Sequence, residues 1–152
     1  MSLKQSDWSR LIAPMTFGLL MSRICPNAGR GDAKVLAAQP PGFVFGIVWP
    51  ILYIFIGIAW MLSKRAGVPG ADILFLLNMV FINAWIWFYG CKNDKRTALW
   101  TFVPSIATAL MLMFLVYQGT SKKYGWWPAG LLAPYVAWLT FASQLSFARV
   151  SL

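Results

Sequence analysis

A run of about twenty residues without a charge, from Phe43 to Leu62, most constrains the fold of this chain. A Pro-Pro-Gly segment at positions 40–42 comes immediately before the run. Proline disfavours the helical conformation in the residue before it, and in the first turn of a helix its missing N–H costs nothing. A helix that begins here is long enough to cross a hydrocarbon core of roughly 30 Å. The segment therefore predicts a membrane-spanning helix, with Trp49 inside it.

The composition predicts an integral, multi-pass membrane protein, and it does not decide between a bacterial inner membrane and an organellar membrane. Of the 152 residues, 59% are hydrophobic and 11% are charged. That charged fraction is less than half of the roughly 25% found in soluble domains. The net charge of +9 is spread over short pairs at 64–65, 95–96 and 122–123, between apolar runs. Such pairs are typical of loops that flank membrane spans and contact lipid head groups, so nucleic acid is not an expected partner.

The apolar runs predict a single all-α domain, residues 1–152, that folds as a bundle of five transmembrane helices. The predicted spans are residues 8–26, 43–62, 73–90, 99–117 and 126–147, and a long lid-like first loop covers residues 25–39. In the first span, Arg10 and Arg23 have to snorkel towards the interfaces. Six Lys and Arg residues lie on the side of the N-terminus and seven on the other side, so charge does not choose an orientation.

Several kinds of site are absent from the sequence. The chain has no histidine, which excludes a His-ligated haem or zinc site. Cys25 and Cys91 make no disulfide framework, and their spacing does not match a metal site. The four carboxylates, at positions 7, 32, 72 and 94, fall in loops or at span ends, which argues against a proton-coupled transporter. We therefore expect no metal and no required cofactor.

The depth of polar and aromatic residues predicts a pocket near the first loop. With a rise of 1.5 Å per residue, Trp49 lies roughly 9 Å, Asn83 roughly 10 Å and Trp138 roughly 14 Å from the side of that loop. Asn78 lies deeper, near the midplane. Prolines within or near four spans favour kinked helices and a gap between them. The alternative is that the tryptophans only pack and that the asparagines only hydrogen-bond between helices.

From position 40 onward the chain resembles the TspO family, the tryptophan-rich sensory and translocator proteins, also known as the peripheral benzodiazepine receptor family. The likeness is carried by Pro40-Pro41-Gly42 with Phe45-Gly46, Trp49 and Leu52-Tyr53, by Leu77-Asn78, and by Leu132-Ala133-Pro134-Tyr135-Val136-Ala137-Trp138 with Phe141-Ala142 and Leu145. The resemblance implies a five-helix bundle whose cavity is capped by the first loop and opens near the cytosolic face. It also implies a homodimer.

By the same resemblance, the cavity is expected to bind protoporphyrin or a related tetrapyrrole. The ligand-binding residues that the resemblance and the depth estimate imply are Trp49, Tyr53, Asn78, Asn83, Trp85, Trp138 and Ala142, with Ala137 as a helix-packing residue near the pocket. Arg30 or Lys34 would pair with the propionates.

The expected function is that of a tetrapyrrole carrier, sensor or scavenger. The first alternative is an enzyme that degrades porphyrin in light, with Trp49 and Trp138 as redox partners. The second is a sterol- or lipid-binding protein, or a structural partner in the membrane.

Overall fold

The computed structural model of the chain describes residues 2–26 and 37–151. The described part is helical and contains no strand. Its helices are α1 (Gln5–Ile24), α2 (Gly42–Arg65), α3 (Ala71–Ile86) with a π-helical turn (Trp87–Cys91), α4 (Lys95–Tyr124), α5 (Trp127–Gly130) and α6 (Ala133–Ser151). Most of the predicted first loop, including Arg30 and Lys34, lies outside the described residues.

Helices α1, α2, α3, α4 and α6 form the predicted five-helix bundle. Four segments are long and apolar enough to cross a membrane, namely Gly42–Arg65, Ala71–Cys91, Lys95–Tyr124 and Trp127–Ser151. Helix α1 is not among them because Asp7, Arg10 and Arg23 lower its hydropathy. Large apolar side chains such as Phe114 lie exposed on the outside of the bundle, where a membrane protein meets lipid. The chain is therefore an integral, multi-pass membrane protein.

Two predicted spans differ most from the structure. Helix α4 has 30 residues, which corresponds to roughly 45 Å, and it extends beyond the predicted span 99–117 at both ends. The charged residues at 95–96 and 122–123 end the apolar run, but they do not end the helix.

The predicted span 126–147 is divided into α5 and α6. Pro134 has no N–H to donate to the carbonyl group of Gly130, so the helical hydrogen-bond pattern is interrupted there.

Helices α1 and α2 approach each other closely because two glycines lie between them. A Cβ atom at Gly57 would overlap the backbone carbonyl oxygen of Leu11, and one at Gly18 would overlap the ring of Tyr53. The central core is built by large side chains from α2, α3, α4 and α6, including Leu52, Phe75, Phe102, Val116 and Leu139.

Ion pairs join α1, α2 and α3 at the end of the bundle where α1 begins, which we call the charged end. Buried Asp7 accepts a hydrogen bond from Arg65 at 2.8 Å. Arg10 donates two hydrogen bonds to the carboxylate of Asp72, at 2.8 and 2.9 Å. The indole N–H of Trp60 donates to the same carboxylate at 2.7 Å. These contacts hold the starts of α1 and α3 next to the end of α2.

Candidate functional site

A cavity of about 720 Å³ lies at the opposite end of the bundle, which we call the cavity end. There α1, α3 and α6 end and α2 begins, and each of these helices contributes a wall. The lining consists of Leu19, Ser22, Cys25, Pro26, Gln39, Gly42, Phe43, Phe45, Gly46, Trp49, Pro50, Tyr53, Ile82, Trp85, Ile86, Tyr89, Ala142, Leu145, Ser146 and Arg149. Ligand pockets commonly have volumes of roughly 300–1,000 Å³, so the cavity has room for a sizeable organic molecule.

The wall from α2 is aromatic. Trp49 and Tyr53 are one helical turn apart and therefore lie on the same face of α2. Their ring centroids are 5.7 Å apart, and both rings line the cavity. Gly18 of α1 leaves the space that the Tyr53 ring occupies. The close approach of α1 and α2 thus sets the position of this wall.

The wall from α3 contains a second aromatic pair. Trp85 and Tyr89 stack with a centroid distance of 5.1 Å. Tyr89 lies in the π-helical turn, in which the N–H of Lys92 donates to the carbonyl group of Trp87. Single π-helical turns often occur at functional sites. Among the described residues, the buried indole N–H of Trp85 has no hydrogen-bond partner, so it is a donor on a cavity-lining residue.

The wall from α6 combines small residues with one charge. Ala142, Leu145, Ser146 and Arg149 follow each other at the three- and four-residue spacing of one helix face, and all four line the cavity. The small side chain of Ala142 leaves room for a ligand. Arg149 is the only charged side chain in the described lining, which therefore favours a ligand with a negative group.

The whole cavity end is positively charged in the described part of the chain. Its cations are Arg23, Lys92, Lys95, Arg96 and Arg149. Asp94 is the carboxylate that the described residues place there, and it caps α4 by accepting a hydrogen bond from the N–H of Thr97 at 3.0 Å. Its hydrogen bonds with Thr97 lower the pKa of the Asp94 carboxyl group. Excess positive charge at this end attracts anions.

The structure brings four of the predicted ligand-binding residues together. Trp49, Tyr53, Trp85 and Ala142 line the same cavity. Trp138 is absent from the lining and packs against Phe45, which lines the cavity, with a centroid distance of 5.3 Å between the two rings. Whether Trp138 contacts a ligand together with Trp49 stays a prediction.

The two asparagines and Ala137 also lie outside the lining. Asn78 is buried and hydrogen-bonds to α4 and α6. Asn83 donates to the carbonyl group of Met79 in its own helix at 2.8 Å. Ala137 is exposed on the outer surface of α6, and the helix packing expected of it stays a prediction. Whether any of these residues contacts a ligand stays a prediction.

Three features of this site were not predicted from the sequence: Arg149, Tyr89 and a disulfide bond between Cys25 and Cys91. The two cysteines have Cα atoms 4.9 Å apart and are separated by 66 positions in the chain. The signal that could have found the bond is their placement, because each cysteine follows a helix that runs to the cavity end. Arg149 follows the last span at that same end.

The fold and the cavity define a class: a multi-pass α-helical membrane protein with an aromatic, positively charged cavity at one end of its bundle. The family model described as "TspO/MBR family" matches residues 11–151. The chain belongs to this family.

Curated relatives agree with the family model. The chain is 32% identical over 117 residues to "Tryptophan-rich protein TspO" of Bacillus cereus, a match that covers 74% of this chain and 72% of the relative. It is 26% identical to "Translocator protein homolog" of Schizosaccharomyces pombe, with 95% of this chain and 90% of the relative covered. It is also 26% identical to "Tryptophan-rich sensory protein" of Cereibacter sphaeroides, with 96% and 92% covered.

Proposed function

We propose that this protein binds a tetrapyrrole such as protoporphyrin in the cavity and acts as a carrier, sensor or scavenger of it. The observation that carries the proposal is that two aromatic pairs and one cation line a single cavity of about 720 Å³. The pairs are Trp49 with Tyr53 and Trp85 with Tyr89, two phenylalanines also line the cavity, and the cation is Arg149. A flat, apolar ring system with carboxylate substituents matches both parts of this lining.

The aromatic pairs support the binding of a flat macrocycle. Aromatic rings prefer offset stacking or edge contacts, which add about 0.5–1.5 kcal/mol per pair beyond the burial of apolar area. The pairs from α2 and α3 lie on different walls, so a flat ligand between them can contact rings on both sides.

The charge distribution supports a ligand that carries carboxylates. Arg149 lies at the end of α6, where a propionate can reach its guanidinium group while the macrocycle stays among the aromatic rings. Arginine binds carboxylates through two parallel hydrogen bonds, which fixes orientation as well as affinity.

The first experiment is a titration of the purified protein with protoporphyrin in detergent, in the dark, followed by tryptophan fluorescence. We expect saturable quenching. Trp49→Phe and Trp85→Phe are expected to weaken binding roughly twofold to tenfold, because each loses contact area with the macrocycle. Trp100→Phe is the matched control, since Trp100 is 67% exposed on the outside of α4 and should leave the affinity unchanged. Equal loss in all three variants, or no saturable quenching, would refute the proposal.

A second arm isolates the carboxylate contact. We expect Arg149→Gln to weaken protoporphyrin binding about fivefold, as for an ion pair of about 1 kcal/mol, but to leave binding of the uncharged dimethyl ester unchanged. A parallel loss for acid and ester would show that Arg149 does not contact the carboxylates.

An enzyme is the second candidate, because oxidisable rings line the cavity in two pairs. Trp49 lies next to Tyr53, and Trp85 lies next to Tyr89. If the protein degrades porphyrin in light, illumination of the complex should give a new absorbing product, and Trp49→Phe should slow its formation. A spectrum that changes equally with and without protein would exclude this activity.

A further inference from the structure

The Cys25–Cys91 disulfide bond is part of the cavity wall. Cys25 directly follows α1 and lines the cavity, whereas Cys91 is the last residue of the π-helical turn after α3. The bond therefore joins the wall that contains Ser22 to the wall that contains Tyr89.

We propose that this bond is a redox modification site that controls ligand exchange, by clamping α1 to α3 at the cavity end until a dithiol reductant opens it. The inference rests on the proposed function for its ligand, but the state of the bond is testable without one.

The two sulfur atoms differ in their access to a reductant. Cys25 is 1% exposed, whereas Cys91 is an exposed residue at the surface of the bundle. Thiol–disulfide exchange begins with the attack of a thiolate on one sulfur, so access decides which sulfur is attacked. Cys91 is the sulfur that a reductant reaches.

The exchange is a two-electron step. A thiolate of the dithiol attacks Sγ of Cys91, the Cys25–Cys91 bond breaks, and Cys25 leaves as a thiolate that takes up a proton. The second thiol of the dithiol then attacks the mixed disulfide and releases Cys91. The protein gains two thiols, and the dithiol is oxidised to its own disulfide.

The position of the clamp explains why its opening affects the cavity. At the charged end, α1 stays attached to α3 through Arg10 and Asp72. In its middle, α1 packs closely on α2 at Gly18 and Gly57. Opening the disulfide removes the covalent link at the cavity end alone, so the wall between α1 and α3 can widen without unfolding the bundle.

The state of the clamp depends on the compartment that the cavity end faces. Disulfide bonds persist in oxidising compartments and are reduced where glutathione and thioredoxin act. The clamp is closed in the first case and open in the second, which links ligand exchange to the redox state of one side of the membrane.

The test begins with the bond itself, in the full-length protein in detergent. Because the chain has two cysteines, a maleimide–polyethylene glycol reagent reports the bond as a gel shift. We expect no label on the oxidised protein and two labels after dithiothreitol. The dissociation rate of protoporphyrin is then measured for both forms and for the double variant Cys25→Ser/Cys91→Ser.

We expect reduction to speed protoporphyrin release at least about threefold. This is the change when the closed, tightly binding form falls to about a third of the population and the association rate stays the same. The double variant should release as fast as the reduced protein and should not respond to dithiothreitol. In the ligand-free protein, the fluorescence of Trp85 is obtained as the difference between wild type and Trp85→Phe. Acrylamide should quench this fluorescence more strongly after the disulfide bond is reduced.

The outcomes separate the two proposals. Two labels on the protein before reduction, or a bond whose reduction changes neither release nor quenching, would overturn the clamp. If protoporphyrin binds neither form, the proposed function fails, and the acrylamide measurement alone decides whether reduction opens the wall.

Discussion

Replacement of Asn78 tests whether a buried amide in this bundle serves helix packing or ligand binding. The side chain of Asn78 is 2% exposed and connects three helices. Its Nδ2 atom donates to the carbonyl oxygen of Ser105 at 2.9 Å and to Oγ1 of Thr108 at 2.8 Å. Its Oδ1 atom accepts a hydrogen bond from the hydroxyl group of Tyr135 at 2.7 Å. The arrangement predicts a structural role.

The expected loss of stability follows from these bonds. Hydrogen bonds between membrane helices contribute about 0.6 kcal/mol on average, so Asn78→Leu loses about 2 kcal/mol with three of them. The substitution also leaves the buried hydroxyl group of Tyr135 without a partner, which costs about 1–3 kcal/mol more. Leucine branches at the same carbon atom and is larger than asparagine, so no void adds to this. We expect the free energy of unfolding to fall by about 3–5 kcal/mol.

The unpaired hydroxyl group predicts a specific departure from additivity. Tyr135→Phe alone removes one hydrogen bond. In the double variant Asn78→Leu/Tyr135→Phe, the hydroxyl group that Asn78→Leu leaves unpaired is gone. The double variant should therefore be at least about 1 kcal/mol more stable than Asn78→Leu.

Reversible unfolding in mixed micelles gives the stabilities, and a protoporphyrin titration of the folded fraction gives the affinities. Asn83→Leu is the matched control, because the amide of Asn83 donates within its own helix and its loss should cost less. The reasoning is refuted if Asn78→Leu is as stable as wild type but binds protoporphyrin more than about tenfold more weakly. In that case Asn78 contacts the ligand, as the family resemblance implies.

Three further predictions concern α1. Gly57→Ala should destabilise the protein by about 1–3 kcal/mol, since its Cβ meets the backbone of α1, whereas Gly46→Ala, which meets nothing within 4 Å, should unfold like wild type. Asp72→Asn should lower the free energy of unfolding by about 1 kcal/mol in the same assay. A variant that also replaces Arg10 should be little less stable than Asp72→Asn, because the first change already breaks the ion pair. The hydrogen bond from Arg65 lowers the pKa of the Asp7 carboxyl group. The stability that the ionised Asp7 adds to the folded protein is therefore complete above about pH 4 and is lost as the pH falls further. The melting temperature of wild type should therefore fall more steeply in acid than that of Asp7→Asn, and identical slopes would contradict this.

The positions of residues along the membrane normal were predictable from the sequence. Charges, glycines and prolines mark the ends of apolar runs, and a helix has a constant rise per residue. The depth estimate therefore brought Trp49 close to the cavity, and the resemblance added Tyr53, Trp85 and Ala142. Helix ends were less predictable, as α4 shows, because a helix continues into the head-group region as long as its backbone hydrogen bonds are satisfied.

The rotation of each helix about its own axis was not predictable in the same way. Trp138 lies four residues before Ala142 and so shares a face with it, and Ala142 lines the cavity. Trp138 nevertheless is not in the lining, whereas Phe45 of α2, which packs against it, is. Which of two rings at equal depth reaches a cavity depends on how the helices pack against each other. Depth alone does not contain this information.

The disulfide bond was predictable in part. The order of the spans places the ends of α1, α3 and α6 on one side of the membrane, so Cys25, Cys91 and Arg149 must all lie at the cavity end. Counting spans therefore restricts the partner of each cysteine to one surface of the bundle. Only the packing of α1 against α3 brings the Cα atoms within 4.9 Å. A pair of cysteines that follows two spans of the same direction is thus a candidate bond even when its spacing in the sequence matches no known pattern.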